Sequence, residues 1–179
     1  MPSRFLFQDF IKRWALFLAY VAFLYASLPW APTLWNKIIA FLGKTGKDLP
    51  FILLALVFVI LNAVVYQQKK RRSLLSVFII LVVFSLLWLI IKKLEYPAEK
   101  VHTLEYGLLA FIIYHSLNKE QPKWAIYLKI LLIGCVVGAI DEGIQYFLPN
   151  RVCDIRDVLL NAASVSLGEA VLYSLRHAG

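Results

Sequence analysis

The chain has 179 residues, of which 61% are hydrophobic and 17% charged, with 19 Lys+Arg against 11 Asp+Glu and a formal net charge of +8. Soluble domains carry about 45–50% apolar and about 25% charged residues, so this composition excludes a disordered chain, a coiled coil and a disulfide-rich secreted domain. It also argues against a basic nucleic-acid binder, because a basic patch needs polar surface and little is left once the apolar runs are placed.

Residues 14–36, 49–68 and 73–91 contain no Asp, Glu, Lys or Arg, in runs of 23, 20 and 19 residues. A hydrocarbon core of about 30 Å needs about 20 helical residues at ~1.5 Å each. Three such runs in so short a chain predict an all-α fold: a polytopic membrane helix bundle of about six transmembrane helices, in the cell membrane. Segment one covers about 14–30, with Lys12 and Arg13 before it and Trp14 and Trp30 as interfacial anchors. Pro29 and Pro32 end it. A cleaved signal peptide is the rival reading, with Ala26 and Ser27 as small residues near a cut.

Segment two covers about 50–66 and is followed by the basic run 69–72; segment three covers about 74–91 and is followed by Lys92 and Lys93. Segment four, about 101–117, carries His102 and Glu105 near its start. Segment five, about 124–147, carries Lys129 near one end and Asp141 and Glu142 near the other. Segment six, about 158–175, begins after Asp157 and contains Glu169, for which the sequence suggests no obvious partner. The connections are read as short loops, the longest spanning 31–49. Cys135 falls in a membrane segment and Cys153 in a loop, so they are not expected to pair. The GKT at 43–45 is no P-loop, because position 38 is Ile where that motif needs Gly.

Charge divides the chain. Residues 1–72 hold ten basic and two acidic residues, and residues 73–179 hold nine of each. Residues 1–98 are therefore read as a three-helix membrane anchor or scaffold and 99–175 as the working core. Counting Lys and Arg on alternate sides gives ten on the side of the termini and eight on the other, so both termini are predicted cytoplasmic.

One inference needs only parity. The connections between segments three and four and between segments five and six share a membrane face. That face collects His102, Glu105, Tyr106, Asp141, Glu142, Gln145, Arg151, Asp154, Asp157 and Asn161. His102 and Glu105 are three apart, His102 and Tyr106 four, Asp141 and Gln145 four; each pair shares a helix face. Asp154, Asp157 and Asn161 form one stripe, unless Asp154 or Asp157 caps the helix instead. Intramembrane ionisable residues are costly and usually mark function. Arg151 suits a carboxylate or phosphate in a bidentate fork. Taken singly, Asp154, Asp157 and Arg156 are equally well read as ordinary caps or interfacial pairs. His115 and His177 read as plain interfacial residues, and Gly134 with Gly138 as a close-packing face.

EKVHTLEYGLL at 99–109 and DEGIQYFLPNRVCDIRDVLLN at 141–161 set a His and a Glu-Tyr at the head of one helix, then Asp-Glu-x-x-Gln, Pro-x-Arg, Asp and Asn across the next helix pair. In that order, over residues 99–168, the chain resembles the VanZ-like family. The matching positions are His102, Glu105, Tyr106, Asp141, Glu142, Gln145, Pro149, Arg151, Asp157 and Asn161. The family often continues Asn-x-x-Gly-x-x-x-Gly; here Ser164 replaces the first Gly and Gly168 remains. The resemblance implies a membrane protein of the cell envelope linked to tolerance of teicoplanin, a lipoglycopeptide that acts outside the cytoplasmic membrane. It implies no defined reaction and leaves any cofactor unknown.

Three functions compete: binding of an envelope lipid or lipid-linked amphiphile at the extracytoplasmic face, a small membrane-embedded enzyme on a lipid-linked envelope precursor, and an ion-coupled transporter. The expected partners are the bilayer and an envelope lipid, with no nucleic acid. A zinc hydrolase is disfavoured, since the cluster has a single His and the chain has no HExxH. Paired carboxylates near a His could separate their pKa values or bind a divalent cation, but no metal ligands are assigned.

Overall fold

Long apolar runs cannot leave backbone polar groups unpaired in hydrocarbon, and the helix satisfies them within the segment itself. The computed structural model describes residues 2–67, 74–94, 97–117, 122–149 and 154–177; among these the backbone forms seven α-helices and no strand. They are α1 (Pro2–Ser27), α2 (Ala31–Leu42), α3 (Lys44–Gln67), α4 (Leu74–Lys93), α5 (Pro97–Ser116), α6 (Lys123–Tyr146) and α7 (Ile155–His177). The basic run 69–72 and Cys153 lie outside the described residues.

Segments one and three to six correspond to α1 and α4 to α7, and segment two to the later part of α3. The connection expected as a loop over 31–49 is instead helical: α2 fills most of it and α3 starts at Lys44. The physical reason lies in Pro32. A proline in the first turn loses no hydrogen bond and sets φ for a helix, so Pro32 starts α2 while Pro29 keeps α1 from continuing. Gly43 then turns the chain with φ +60°, and its N–H donates to the Ile39 carbonyl at 2.8 Å. A Cβ at Gly46 would lie 2.9 Å from the Ile39 Cα, so α2 and α3 pack backbone to backbone at that point.

α6 and residues Ile155–Arg176 of α7 are each long and apolar enough to cross a membrane. Ile11–Ser27 and Ala31–Leu42 meet the same test together, with a 71° bend between them. Among the described residues there are thus two candidate spans, or three if the bent pair is one.

α7 sits at the centre, in contact with α4, α5 and α6, while α1 packs on α5 and α6. Two apolar cores flank it. One joins Phe17, Leu109, Ile113, Ile130, Val137, Val165 and Leu172 from α1, α5, α6 and α7. The other joins Leu54, Ile80, Val83, Leu87, Ile91 and Val171 from α3, α4 and α7, with Phe111 of α5 adjoining both. Close approach depends on small residues. A Cβ at Gly168 would lie 2.4 Å from the Gly107 carbonyl oxygen, one at Gly134 2.7 Å from Val165 Cγ2, and one at Gly138 3.0 Å from Asn161 Cβ. The latter two put the expected small-residue face of α6 directly against α7.

Candidate functional site

The buried face of α6 repeats at helical spacing: Ile126, Ile130, Gly134, Val137, Gly138, Asp141, Glu142 and Gln145. The first five are apolar or small. In the last turn and a half the same face turns polar without leaving the bundle interior, with Asp141 0%, Glu142 2% and Gln145 5% exposed. α5 meets this end of α6 with its second and third turns, which carry His102, Glu105 and Tyr106, and α7 meets it with Asn161.

His102 lies between two carboxylates. Its Nδ1 is 2.9 Å from Glu105 Oε2 and its Nε2 is 2.5 Å from Asp141 Oδ2. A ring carrying N–H on both nitrogens satisfies both acceptors at once. The Tyr106 hydroxyl, fully buried, donates to the same Asp141 oxygen at 2.8 Å. The Tyr106 and His102 rings meet edge to face at 5.2 Å. Asp141 Oδ2 thus receives two donors, while its Oδ1 has none. Gln145 Nε2 donates to Glu142 Oε1 at 3.0 Å, leaving Glu142 Oε2 without a partner. Asn161 is 1% exposed and neither of its amide atoms is bonded.

Two tyrosines that the sequence reading passed over tie α1 to this region. Tyr20 donates to the Glu105 carbonyl at 3.0 Å and Tyr25 to the Val137 carbonyl at 2.9 Å. The only sequence signal was a phenol inside an uncharged run, where a buried hydroxyl needs an acceptor.

The other predicted positions fall apart from the core of the cluster or beyond the described chain. Asp157 is half-buried in the first turn of α7, where a carboxylate complements the helix dipole, and it is near enough to act electrostatically on Glu142. Asp154 takes the capping role. Its Oδ1 accepts the Arg156 backbone N–H at 2.9 Å, and its Oδ2 accepts Arg156 Nε at 2.8 Å and Nη2 at 2.6 Å. The Arg156 guanidinium holds the Asp154 carboxyl below the usual carboxylate range. Arg151 lies outside the described residues. Glu169 is half-buried further along α7, with Oε1 unpartnered, away from His102 and Asp141. His115 accounts for itself by bonding the Phe111 carbonyl of its own helix at 3.0 Å. Among the described residues no group of three or more His, Cys, Asp or Glu has the geometry to hold a metal ion.

The arrangement is a Glu–His–Asp relay with a tyrosine on the far carboxylate. It can hold a proton on the imidazole between two bases and orient Asp141 rigidly.

Comparison with curated proteins and with solved structures found no match. The family model described as VanZ/LLP1 matches residues 14–176, taking in the first three apolar runs as well as the stretch from 99 to 168. With its long apolar helices and a match over nearly its whole length, the chain belongs to the VanZ/LLP1 family of membrane proteins.

Proposed function

We propose that the protein is a multi-pass protein of the cell membrane with six spans and both termini in the cytoplasm, in which residues 1–98 anchor and 99–175 work. The polar cluster faces the extracytoplasmic side and binds or acts on a cell-envelope amphiphile, linking the protein to glycopeptide tolerance, teicoplanin included. One observation carries this reading: His102, Glu105, Tyr106, Asp141, Glu142, Gln145 and Asn161 converge at one end of three packed helices, with Asp141 fully buried. A structural pair would need one donor per acceptor, whereas this set keeps several buried polar atoms unsatisfied. Family membership supports the link to glycopeptides.

The test is a deletion strain profiled against lipoglycopeptides and complemented with His102→Ala and Asp141→Asn. The expected result is loss of complementation with both variants at normal membrane abundance. Full complementation by both would remove the cluster from that phenotype.

The relay geometry also favours a second reading, a membrane-embedded enzyme on a lipid-linked precursor. Asp141, held by two donors, and Glu142 would supply acid and base. Turnover of such a precursor that is lost in Glu142→Gln, with the fold intact, would select it. Turnover unchanged in that variant would exclude Glu142 from the chemistry.

A further inference from the structure

The buried atoms left without partners at the cluster have a common sign. Among the described residues, Asp141 Oδ1, Glu142 Oε2 and Asn161 Oδ1 are acceptors, and Asn161 Nδ2 is the donor. Asn161 gives the set a direction. A Cβ placed on Gly138 would lie 3.4 Å from Asn161 Nδ2 and 3.4 Å from Tyr106 Cε1. Gly138, one turn before Asp141 and Glu142 on the buried face of α6, therefore sits between the free amide and the phenol ring. The charge points the same way. Among the described residues at the cluster, three carboxylates, Glu105, Asp141 and Glu142, stand against one imidazole. Arg156 is engaged by Asp154, and Lys100 Nζ lies 5.4 Å over the Phe51 ring.

Beside the cluster the bundle has an open groove of about 400 Å³ between α1 and α6, lined by Phe17, Val21 and Tyr25 on one wall and Val136, Val137 and Ile140 on the other. It is apolar except at Tyr25, whose hydroxyl bonds the Val137 carbonyl and feels the charge of Asp141. Val137, one turn before Asp141, belongs both to the groove wall and to the buried face of α6 that carries the cluster.

We infer that groove and cluster are two parts of one site for an amine-bearing lipid: a hydrocarbon chain lies along the groove between α1 and α6, and a protonated amine enters among Asp141, Glu142 and Asn161. The inference rests on the amphiphile reading above and adds the head chemistry and the path of the chain. An ammonium brings up to three N–H donors and a positive charge to three acceptor oxygens. A phosphate brings acceptors and negative charge to the same oxygens, a pairing that electrostatics disfavours.

The test uses the full chain in detergent with phosphatidylethanolamine, phosphatidylcholine and phosphatidylglycerol of identical acyl chains, reading retained lipid by native mass spectrometry. The first two share the phosphate and the chains and differ in N–H donors. Ethanolamine lipid is expected to be retained roughly tenfold more than choline lipid, the worth of one charge-assisted hydrogen bond, and more than glycerol lipid. Val136→Trp, at a groove position 59% exposed, should lower that retention at unchanged melting temperature. Leu128→Trp, exposed on α6 outside the groove, should not. Equal retention of ethanolamine and choline lipids would overturn the inference and leave the free polar atoms to ordered water. Preference for glycerol lipid would overturn the amine while leaving an amphiphile site standing. A protein that retains none of the three would remove both the inference and the reading beneath it.

Discussion

Asp141 is placed where its own helix disfavours it. It lies near the C-terminal, negative end of α6, which has no basic residue in its last turn, and it is fully buried. Its charge is carried by His102 and Tyr106 from α5. The two donors are therefore unequal in what their loss would do. Tyr106→Phe removes one hydrogen bond and keeps the ring packing, for an expected loss of about 1 kcal/mol. His102→Ala leaves Asp141 and Glu105 without their shared donor, for an expected loss of about 2–3 kcal/mol. Unfolding of the purified protein in mild detergent, monitored by tryptophan fluorescence, ranks the two; equal losses would mean that the imidazole does not serve both carboxylates. Much of the cluster was legible in the sequence for the same reason that it is energetically conspicuous. Polar residues in the last turns of an apolar helix have to meet partners, and parity brings the ends of segments four, five and six to one face. Tyr20 and Tyr25 were not legible, since a tyrosine near the middle of an uncharged run looks like any aromatic until its acceptor on another helix is known.

Helices α5 and α7 come close only because of what their residues lack. Gly168 faces the Gly107 carbonyl so closely that a methyl group would need to stand 2.4 Å from that oxygen, and backbone cannot swing away as a side-chain tip can. At Gly107 the same methyl would meet its nearest neighbour, the Ser164 carbonyl, at an ordinary 3.7 Å. The two glycines thus predict opposite outcomes. Gly168→Ala should push α7 from α5 and destabilise the bundle by about 1–3 kcal/mol, whereas Gly107→Ala should be neutral or stabilise it slightly by removing helix glycine entropy. Detergent melting of the pair checks this, and a Gly168→Ala protein as stable as the parent would show that the helices can separate freely there. Ser164 fits the same surface because its hydroxyl folds back to the Leu160 carbonyl at 2.7 Å, so a small residue suffices where glycine was expected. Element boundaries were read best where a long uncharged run ends in charge, as at Lys92 and Lys93 closing α4. α2 escaped because a proline signals both the end of one helix and the first turn of another, and only tertiary packing on α3 decides which.

At the scale of the molecule, the cluster can serve an envelope ligand only if the paired ends of α5, α6 and α7 face outward. α6 has 24 residues, so its two ends stand about 36 Å apart at ~1.5 Å per residue, more than the hydrocarbon thickness. Phe147, just past its C-terminus, is 82% exposed; Ile155 at the start of α7 is 71% exposed; Trp124 at the other end of α6 is 71% exposed. In a protein first freed of Cys135 and Cys153, single cysteines at these positions report sidedness in intact cells. Phe147→Cys and Ile155→Cys should react with a membrane-impermeant maleimide added outside, and Trp124→Cys should react only after the membrane is opened. The pattern follows from antiparallel packing of α5 on α6 together with the excess of Lys and Arg on the side of the termini. Labelling of Trp124→Cys alone from outside would keep the bundle but turn it over, placing the Glu–His–Asp relay in the cytoplasmic leaflet and ending its case as a site for ligands of the outer envelope.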